Sequence, residues 1–433
     1  MTRLPIVLAT IFTAVPAGPV RAQAPASRPS AAASTAEADF ALAADAVRFL
    51  VGRQEAYDPT SEPRPARRRR ATPDGRDGGD GADAKKSGAG ASKATSRPAT
   101  TPSEWPYEGV YRFEGDIPIG YRVGGTAITC LALLEAPGFE DDAPRRAAFD
   151  RGLAFCLEHA ASHPLMTAGF LGTYDVRGWG HAYALALTLR TLERGAAPAR
   201  AQALTELAKT LVKTLIATEI AETGGWNYSR PQGADRPNPA SPFMTAPTLL
   251  ALFQAEAQGF AVRRATIERA LKTLEDARTD AGSFQYASNP KRKRAAGGDA
   301  VPGACARMAV AETTLWLAGR GDVGRVRGAV DAFFTHWDEL EKRRAKTGTH
   351  EPPYGVAPYY FHFGHTYAAE AIEHLPEAER PALRARLREL YAKTRDADGT
   401  WNDRVFPRSA AYGTAMTTLG LLAPHRPRAA SWK

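Results

Sequence analysis

The chain has 433 residues and a formal charge of +9, from 56 Lys and Arg against 47 Asp and Glu, so it has room for two or three average domains or for one large ring of helix pairs. Three cysteines are too few, and odd in number, for a disulfide scaffold. Dense basic charge occurs only at 67–70 and 291–294, both in Gly/Pro/Ala-rich surroundings that read as solvated loops, and a nucleic-acid partner is not expected.

Arg3, the apolar stretch over 4–15 and Ala22-Gln23-Ala24 form the charged start, apolar core and small-x-small site of a signal peptide. Residues 1–24 are therefore expected to be removed, and the mature chain to work in the periplasm or outside the cell. No later stretch approaches the ~20 apolar residues of a membrane span, so the chain is not expected to cross one. Residues 38–54 read as a first outer helix, with Phe40, Leu42, Val47, Phe49 and Leu50 at helical spacing. The stretch 55–103 is rich in Pro, Gly, Ala, Arg and Asp and reads as a disordered insertion. Residues 104–424 carry the rest of the fold, and 425–433 form a tail.

A turn of glycine and aromatic residues recurs along the chain. Gly224-Gly225-Trp226-Asn227-Tyr228, Gly282-Ser283-Phe284-Gln285-Tyr286 and Gly399-Thr400-Trp401-Asn402-Asp403 are the clearest copies, with looser ones at Trp105-Pro106-Tyr107 and between Tyr174 and Trp179. Each leads into a helix of Ala, Leu and Thr, and each is preceded by a more charged helix. A repeat of this length marks an array of helix pairs. The charged members (38–54, 145–161, 199–219, 263–278, 323–346, 380–394) suit an outer layer with one face in water. The apolar members (127–134, 181–192, 245–254, 308–317, 367–372, 415–422) suit a buried inner layer. No stretch alternates with the period of a strand, so the fold class expected is all-α.

With six helix pairs joined by Gly-aromatic turns, the chain resembles the α/α-toroid superfamily of squalene and hopene cyclases, protein prenyltransferase β subunits and complement-like thioester domains. It is most similar to exported bacterial proteins built of prenyltransferase and squalene-cyclase repeats. Phe363-Gly364-His365-Thr366-Tyr367-Ala368-Ala369, Asp398-Gly399-Thr400-Trp401 and Tyr412-Gly413-Thr414-Ala415-Met416 carry the resemblance. It implies an α/α toroid with inner and outer helical rings, a fold that hosts several unrelated chemistries. The cyclases' Asp-x-Asp-Asp and the thioester domains' Gly-Cys-Gly-Glu-Gln are both absent from the sequence. In prenyltransferase β subunits an Asp-x-Cys and a His-Thr bind zinc. Here Gly303-Ala304-Cys305 and His365-Thr366 match them, with Gly303 in the place of the Asp. The resemblance thus implies a possible zinc set of Cys305, His362, His365 and Asp299.

The turns should gather at one mouth of the ring. There Asp175 and Asp403, with His181 or Tyr412 as proton carrier, could support glycan hydrolysis or elimination. The competing reading is that turn carboxylates cap helices and pair with neighbouring arginines. Trp179, Arg307, Tyr359, Tyr360 and Tyr367 are the candidate ligand-binding residues, although the same aromatics could plug the barrel. The expectation is a monomeric binding scaffold for a hydrophobic ligand, isoprenoid or lipid, or for a protein partner. The alternative is an enzyme, either a zinc-dependent transferase or lyase at Cys305 and His365 or an acid/base glycan hydrolase or lyase at the mouth.

Overall fold

The computed structural model describes residues 31–58, 102–109, 111–113, 115–169, 174–233, 236–344, 346, 352–403 and 406–433. Residues 1–24, read as a signal peptide, and 59–101, the bulk of the insertion, lie outside the described residues. Asp39–Lys433 forms one compact unit; of the unit before it, only 31–38 are described, as the start of helix α1. No helix among the described residues is long and apolar enough to cross a membrane.

Six helices form the inner ring: α2 (Ile119–Glu135), α4 (Arg177–Arg194), α6 (Pro242–Ala257), α8 (Val301–Leu317), α11 (Tyr360–Ile372) and α13 (Ser409–Leu421). Each packs against the next, and α13 packs against α2, so the ring closes. The outer layer is α1 (Ala31–Gly52), α3 (Ala143–His159), α5 (Ala201–Ala217), α7 (Arg264–Asp276), α9 (Val323–Thr335) with the short α10 (Trp337–Glu341), and α12 (Arg380–Thr394). The expected all-α toroid is therefore the fold observed. Its only strands among the described residues are β1 (Glu55–Ala56) and β2 (Ser103–Glu104), which pair antiparallel. α1 also starts earlier than residue 38, and the outer stretch 323–346 breaks in two at His336.

The recurring turn is a staple between the two rings. In three repeats the turn tryptophan uses both of its donors in the same way. Its backbone N–H meets the hydroxyl of an inner-helix threonine: Trp105 with Thr126 (2.9 Å), Trp226 with Thr245 (3.0 Å) and Trp401 with Thr414 (3.1 Å). Its indole N–H meets a carbonyl in the last turns of the preceding outer helix: Leu50 (2.7 Å), Leu215 (3.0 Å) and Tyr391 (2.9 Å). Carbonyls at a helix end have no partner within the helix, so the indole satisfies a group that would otherwise be stranded in the core. At Phe284, which has no indole, Arg307 instead donates to the Phe284 carbonyl from Nε (3.1 Å) and Nη2 (2.6 Å).

Glycines set how closely the inner helices approach. A Cβ on Gly180 would lie 2.8 Å from the Gly120 carbonyl oxygen of α2, and one on Gly364 would lie 2.9 Å from Ala306 Cβ of α8. Both are below the separation that real Cβ atoms show. Because the inner helices run parallel, their N-terminal ends and the staples share one end of the ring, the mouth, and their C-terminal ends share the other.

Candidate functional site

The mouth is filled. Tyr107, Trp179, Tyr228, Phe243, Met244 and Tyr412 are buried, and with Tyr121, Val176 and Tyr359 they enclose a void of only about 10 Å³, room for one water at most. Tyr107 lies against Tyr412 with ring centroids 4.4 Å apart and planes tilted by 44°, and Trp179 lies against Tyr183 at 5.1 Å. Tyrosine hydroxyls bond to one another above this plug: Tyr228 to Tyr359 (2.7 Å), Tyr286 to Tyr359 (3.4 Å) and Tyr121 to Tyr174 (3.3 Å). Of the two readings of these aromatics, the structure has the plug.

The mouth groups expected to exchange protons are held within the fold. Asp175 receives Arg177 through Nε (2.8 Å), Nη2 (2.7 Å) and the backbone N–H (3.0 Å), with Arg230 at 3.8 Å. Burial works to raise its pKa, but the bonds and charge of Arg177, helped by Arg230, hold it below the usual carboxylate range. His181 is 0 % exposed; burial, then the charge of Arg177, pushes it down to about 4. Neither of its ring nitrogens makes a hydrogen bond of ordinary geometry, although the Met166 and Ala160 carbonyls lie near enough to favour its charged form. Asp403 is buried close to Tyr107 and Tyr412. Burial first, then Tyr183 and Asp403, raises Tyr412 well above an ordinary phenol. For Asp175 this is the arginine pairing that competed with catalysis in the sequence.

The zinc set does not assemble. Among the described residues no three His, Cys, Asp or Glu side chains form a group that could hold a metal ion. Cys305 is buried, donates to the Pro302 carbonyl (3.3 Å) and is pushed up to about 12, chiefly by burial. His365 has Nε2 accepting from the Trp337 indole (2.8 Å) and Nδ1 on the Phe361 carbonyl (2.7 Å); both ring positions are taken, and burial pushes it down to about 4. The His362 ring sits 6.3 Å from that of His365, and burial, then His365, lowers its pKa. Asp299 is bound by the Tyr286 N–H (2.6 Å) and by Arg292, with Arg307 at 3.7 Å. Arg307, expected to bind ligand, instead spends its donors on the carbonyls of Phe284, Gly303 and Gly298. Two of the four basic residues at 291–294 are tied down as well, Arg292 to Asp299 and Lys293 to the Asp276 carbonyl.

Open space lies at the opposite end. A cleft of about 240 Å³ sits among the C-terminal halves of α2, α4, α6, α11 and α13. Leu131, Ala186, Leu250, Met416 and Leu419 give it apolar walls. Tyr183 and Tyr367 also line it, their hydroxyls 3.0 Å apart. Tyr367 is thus the one expected ligand-binding residue that lines this cleft, and Trp179, Tyr359 and Tyr360 belong to the mouth.

The cleft's charges are unevenly matched. Glu135 is gripped by Arg190 through Nε (2.6 Å) and Nη2 (3.0 Å), and Glu373 by Arg384. Among the described residues Glu370 has an ion pair with Arg426 alone, at 3.7 Å. Burial raises the Glu370 pKa and Arg426 offsets part of the rise. Arg426 also stands 3.9 Å from Glu135, so one guanidinium serves two carboxylates, and its Nε has no hydrogen-bond partner. His374, beside them, is pushed down to about 4 by burial and then by Arg428. A carboxyl raised by burial next to an arginine-paired one is the arrangement from which acid and base roles can separate. The sequence held one signal for this end: Glu135, Arg190 and Glu370 are charges near the ends of otherwise apolar helices.

No protein-family model matches the chain, and no curated protein matches it either. Among solved structures it is similar to the GH76A α-1,6-mannanase of Salegentibacter sp. HEL1_6, at 12% identity and a TM-score of 0.45, over 75% of this chain and 94% of that one. It is also similar to a possible member of the GH105 family from Klebsiella pneumoniae, at 12% identity and a TM-score of 0.45, over 95% and 99% of the two chains. The Lin0763 protein of Listeria innocua aligns at 14% identity and a TM-score of 0.42, over 70% and 85%. Likenesses this distant assign no activity.

Proposed function

We propose that this protein is a carbohydrate-active toroid whose working site is the cleft at the C-terminal ends of the inner helices, with Glu370 as its proton donor. The observation that carries the reading is the position of Glu370: a half-buried carboxyl whose pKa is raised by desolvation, lining the cleft of about 240 Å³ beside Arg426 and the Tyr183–Tyr367 hydroxyl pair. A partly desolvated carboxyl keeps its proton to higher pH than a fully exposed glutamate, as protonation of a glycosidic oxygen requires. In hydrolysis the bond between that oxygen and the sugar carbon breaks, the oxygen takes the proton of Glu370, water supplies the hydroxyl that joins the carbon, and the water's remaining proton passes to the Glu135 carboxylate and by solvent exchange restores Glu370. Glu135, held by Arg190, is the second carboxylate of the site.

The ligand class follows from the walls. At about 240 Å³ the cleft exceeds the ~150 Å³ that admits benzene and falls short of the ~300–1,000 Å³ of drug-sized pockets, so it suits one sugar-sized ring. Apolar strips between donors and acceptors match a molecule with both C–H faces and hydroxyls. A long isoprenoid would need a deep apolar tunnel, and four carboxylates and three guanidinium groups in the lining disfavour one. Export, read from residues 1–24, and kinship with prenyltransferase and squalene-cyclase repeat proteins, read from the Gly-aromatic turns, complete the proposal.

The test is a panel of oligosaccharides offered to the full chain, with binding followed by calorimetry and cleavage by released reducing ends. The parent is expected to cleave at least one of them, and Glu370→Gln to slow turnover ~10²–10⁴-fold while still binding. A parent that binds no glycan would remove the proposal's basis.

A further inference from the structure

Residues 426–433 were read from sequence as part of a tail, and they do something specific. In the inner ring, taken in order α2, α4, α6, α8, α11, α13, the helix opposite α13 is α6. The segment leaves α13 and reaches α6, where the Trp432 ring stacks on Phe253 with centroids 5.6 Å apart and planes 28° apart. The seven residues from Arg426 to Trp432, if extended, cover about 23–25 Å, and helices packed at ~8–10 Å spacing put opposite members of a six-helix ring only about 16–20 Å apart. The segment is long enough to cross the C-terminal end of the ring, and Arg426, Pro427, Arg428 and Ala429 line the cleft on the way.

It is fastened mainly at its two ends. On the α13 side Arg426 Nη1 donates to the Leu419 carbonyl (3.1 Å). On the far side Trp432 donates its backbone N–H to Leu317 (3.1 Å) and its indole N–H to Glu268 (3.2 Å), and the Arg264 guanidinium lies 5.2 Å from the ring centroid. Trp432 is 8 % exposed, while Ser431 and Lys433 beside it are exposed. Among the described residues, the backbone of 427–431 makes no hydrogen bond to either ring. A segment with one buried anchor and few backbone bonds opens locally at low cost.

We propose that 426–433 is a latched strap over the cleft: Trp432 is the latch, and its release frees the span that carries Arg428 and opens the cleft while the toroid stays folded. The proposal rests on the cleft being the working site and adds how access to it is governed.

Its test needs no knowledge of the natural ligand. Cys130, Cys156 and Cys305 are buried, so a cysteine placed in the cleft by Ala186→Cys would be the reactive thiol of the full chain. Its labelling by a bulky fluorescent maleimide is timed with Trp432 intact and in combination with Trp432→Ala, and folding is checked by circular dichroism. The latch predicts labelling about tenfold faster without Trp432, with the inner helices still protected from hydrogen exchange and 426–433 deprotected. Glu268→Ala, which removes the indole's acceptor together with the ion pairs of Glu268 to Arg320 and Arg264, should raise the rate by a smaller factor and carries the test if Trp432→Ala does not fold. Rates within twofold of the parent's in the folded variants would overturn the strap. That result would leave glycan binding by the parent untouched, whereas a blank glycan panel would leave the labelling result untouched.

Discussion

Replacing Thr245 by Val isolates the ring-to-ring staple with little change of shape. The Thr245 hydroxyl accepts the Trp226 backbone N–H at 3.0 Å and donates to the Trp226 carbonyl at 3.2 Å. That carbonyl keeps a second partner in the Ser241 N–H at 2.9 Å, so the loss falls on the buried N–H, which has nowhere else to turn. Stranding one buried donor costs about 1–3 kcal/mol, and the near-equal helix propensities of Thr and Val add little. The same cost is expected for Thr126→Val and Thr414→Val, whose hydroxyls hold Trp105 and Trp401. Thr313 is the control. It is 5 % exposed and its hydroxyl has no partner, so Thr313→Val should be neutral or stabilising. Denaturant unfolding monitored by circular dichroism reads all four as shifts in midpoint at constant slope. Thr245→Val within about 0.5 kcal/mol of the parent, or Thr313→Val as costly as the staple variants, would refute the reasoning.

Three further outcomes follow from the buried charges. His181 and His365, each held down to about 4, take up protons in the unfolded chain near 6.5 but in the folded chain only near 4; stability should therefore fall as pH drops from about 6.5 towards 4, and His181→Gln should flatten that slope when unfolding is measured across the range. Arg177→Ala leaves the Asp175 carboxylate buried without its main partner and should cost about 3–5 kcal/mol in denaturant unfolding. Burial penalises the charged form of Glu370, so Glu370→Gln should raise the thermal midpoint at neutral pH while lowering activity, a pairing that a purely structural carboxylate would not give.

The ring was legible because its staples are written into the chain. A Gly-Trp turn before a helix carrying threonine signals a repeat, and in the fold the same Trp and Thr bond the layers together. Helix limits were harder to read. The first inner helix was expected over 127–134 and runs Ile119–Glu135; its first turns carry Gly120 and Gly124, which give no apolar side-chain signal but sit close against Val176 and Trp179. The outer helix expected over 323–346 breaks at His336, where the chain turns to bring Trp337 onto His365. The site was least legible. Asp175 and His181 beside aromatics looked like chemistry, yet only the fold reveals that Arg177 occupies the carboxylate and that the plug leaves no room. The cleft depends on Glu370 and Arg426 meeting across two segments 56 residues apart, which no local pattern announces.

The central claim is that the cleft is where ligand is handled, and blocking it tests that most directly. The Ala186→Cys protein, assayed for glycan binding and cleavage before and after its cleft thiol carries a bulky maleimide, should lose both on modification while its fold is unchanged. Full activity in the modified protein would place the working site elsewhere on the toroid and contradict the account.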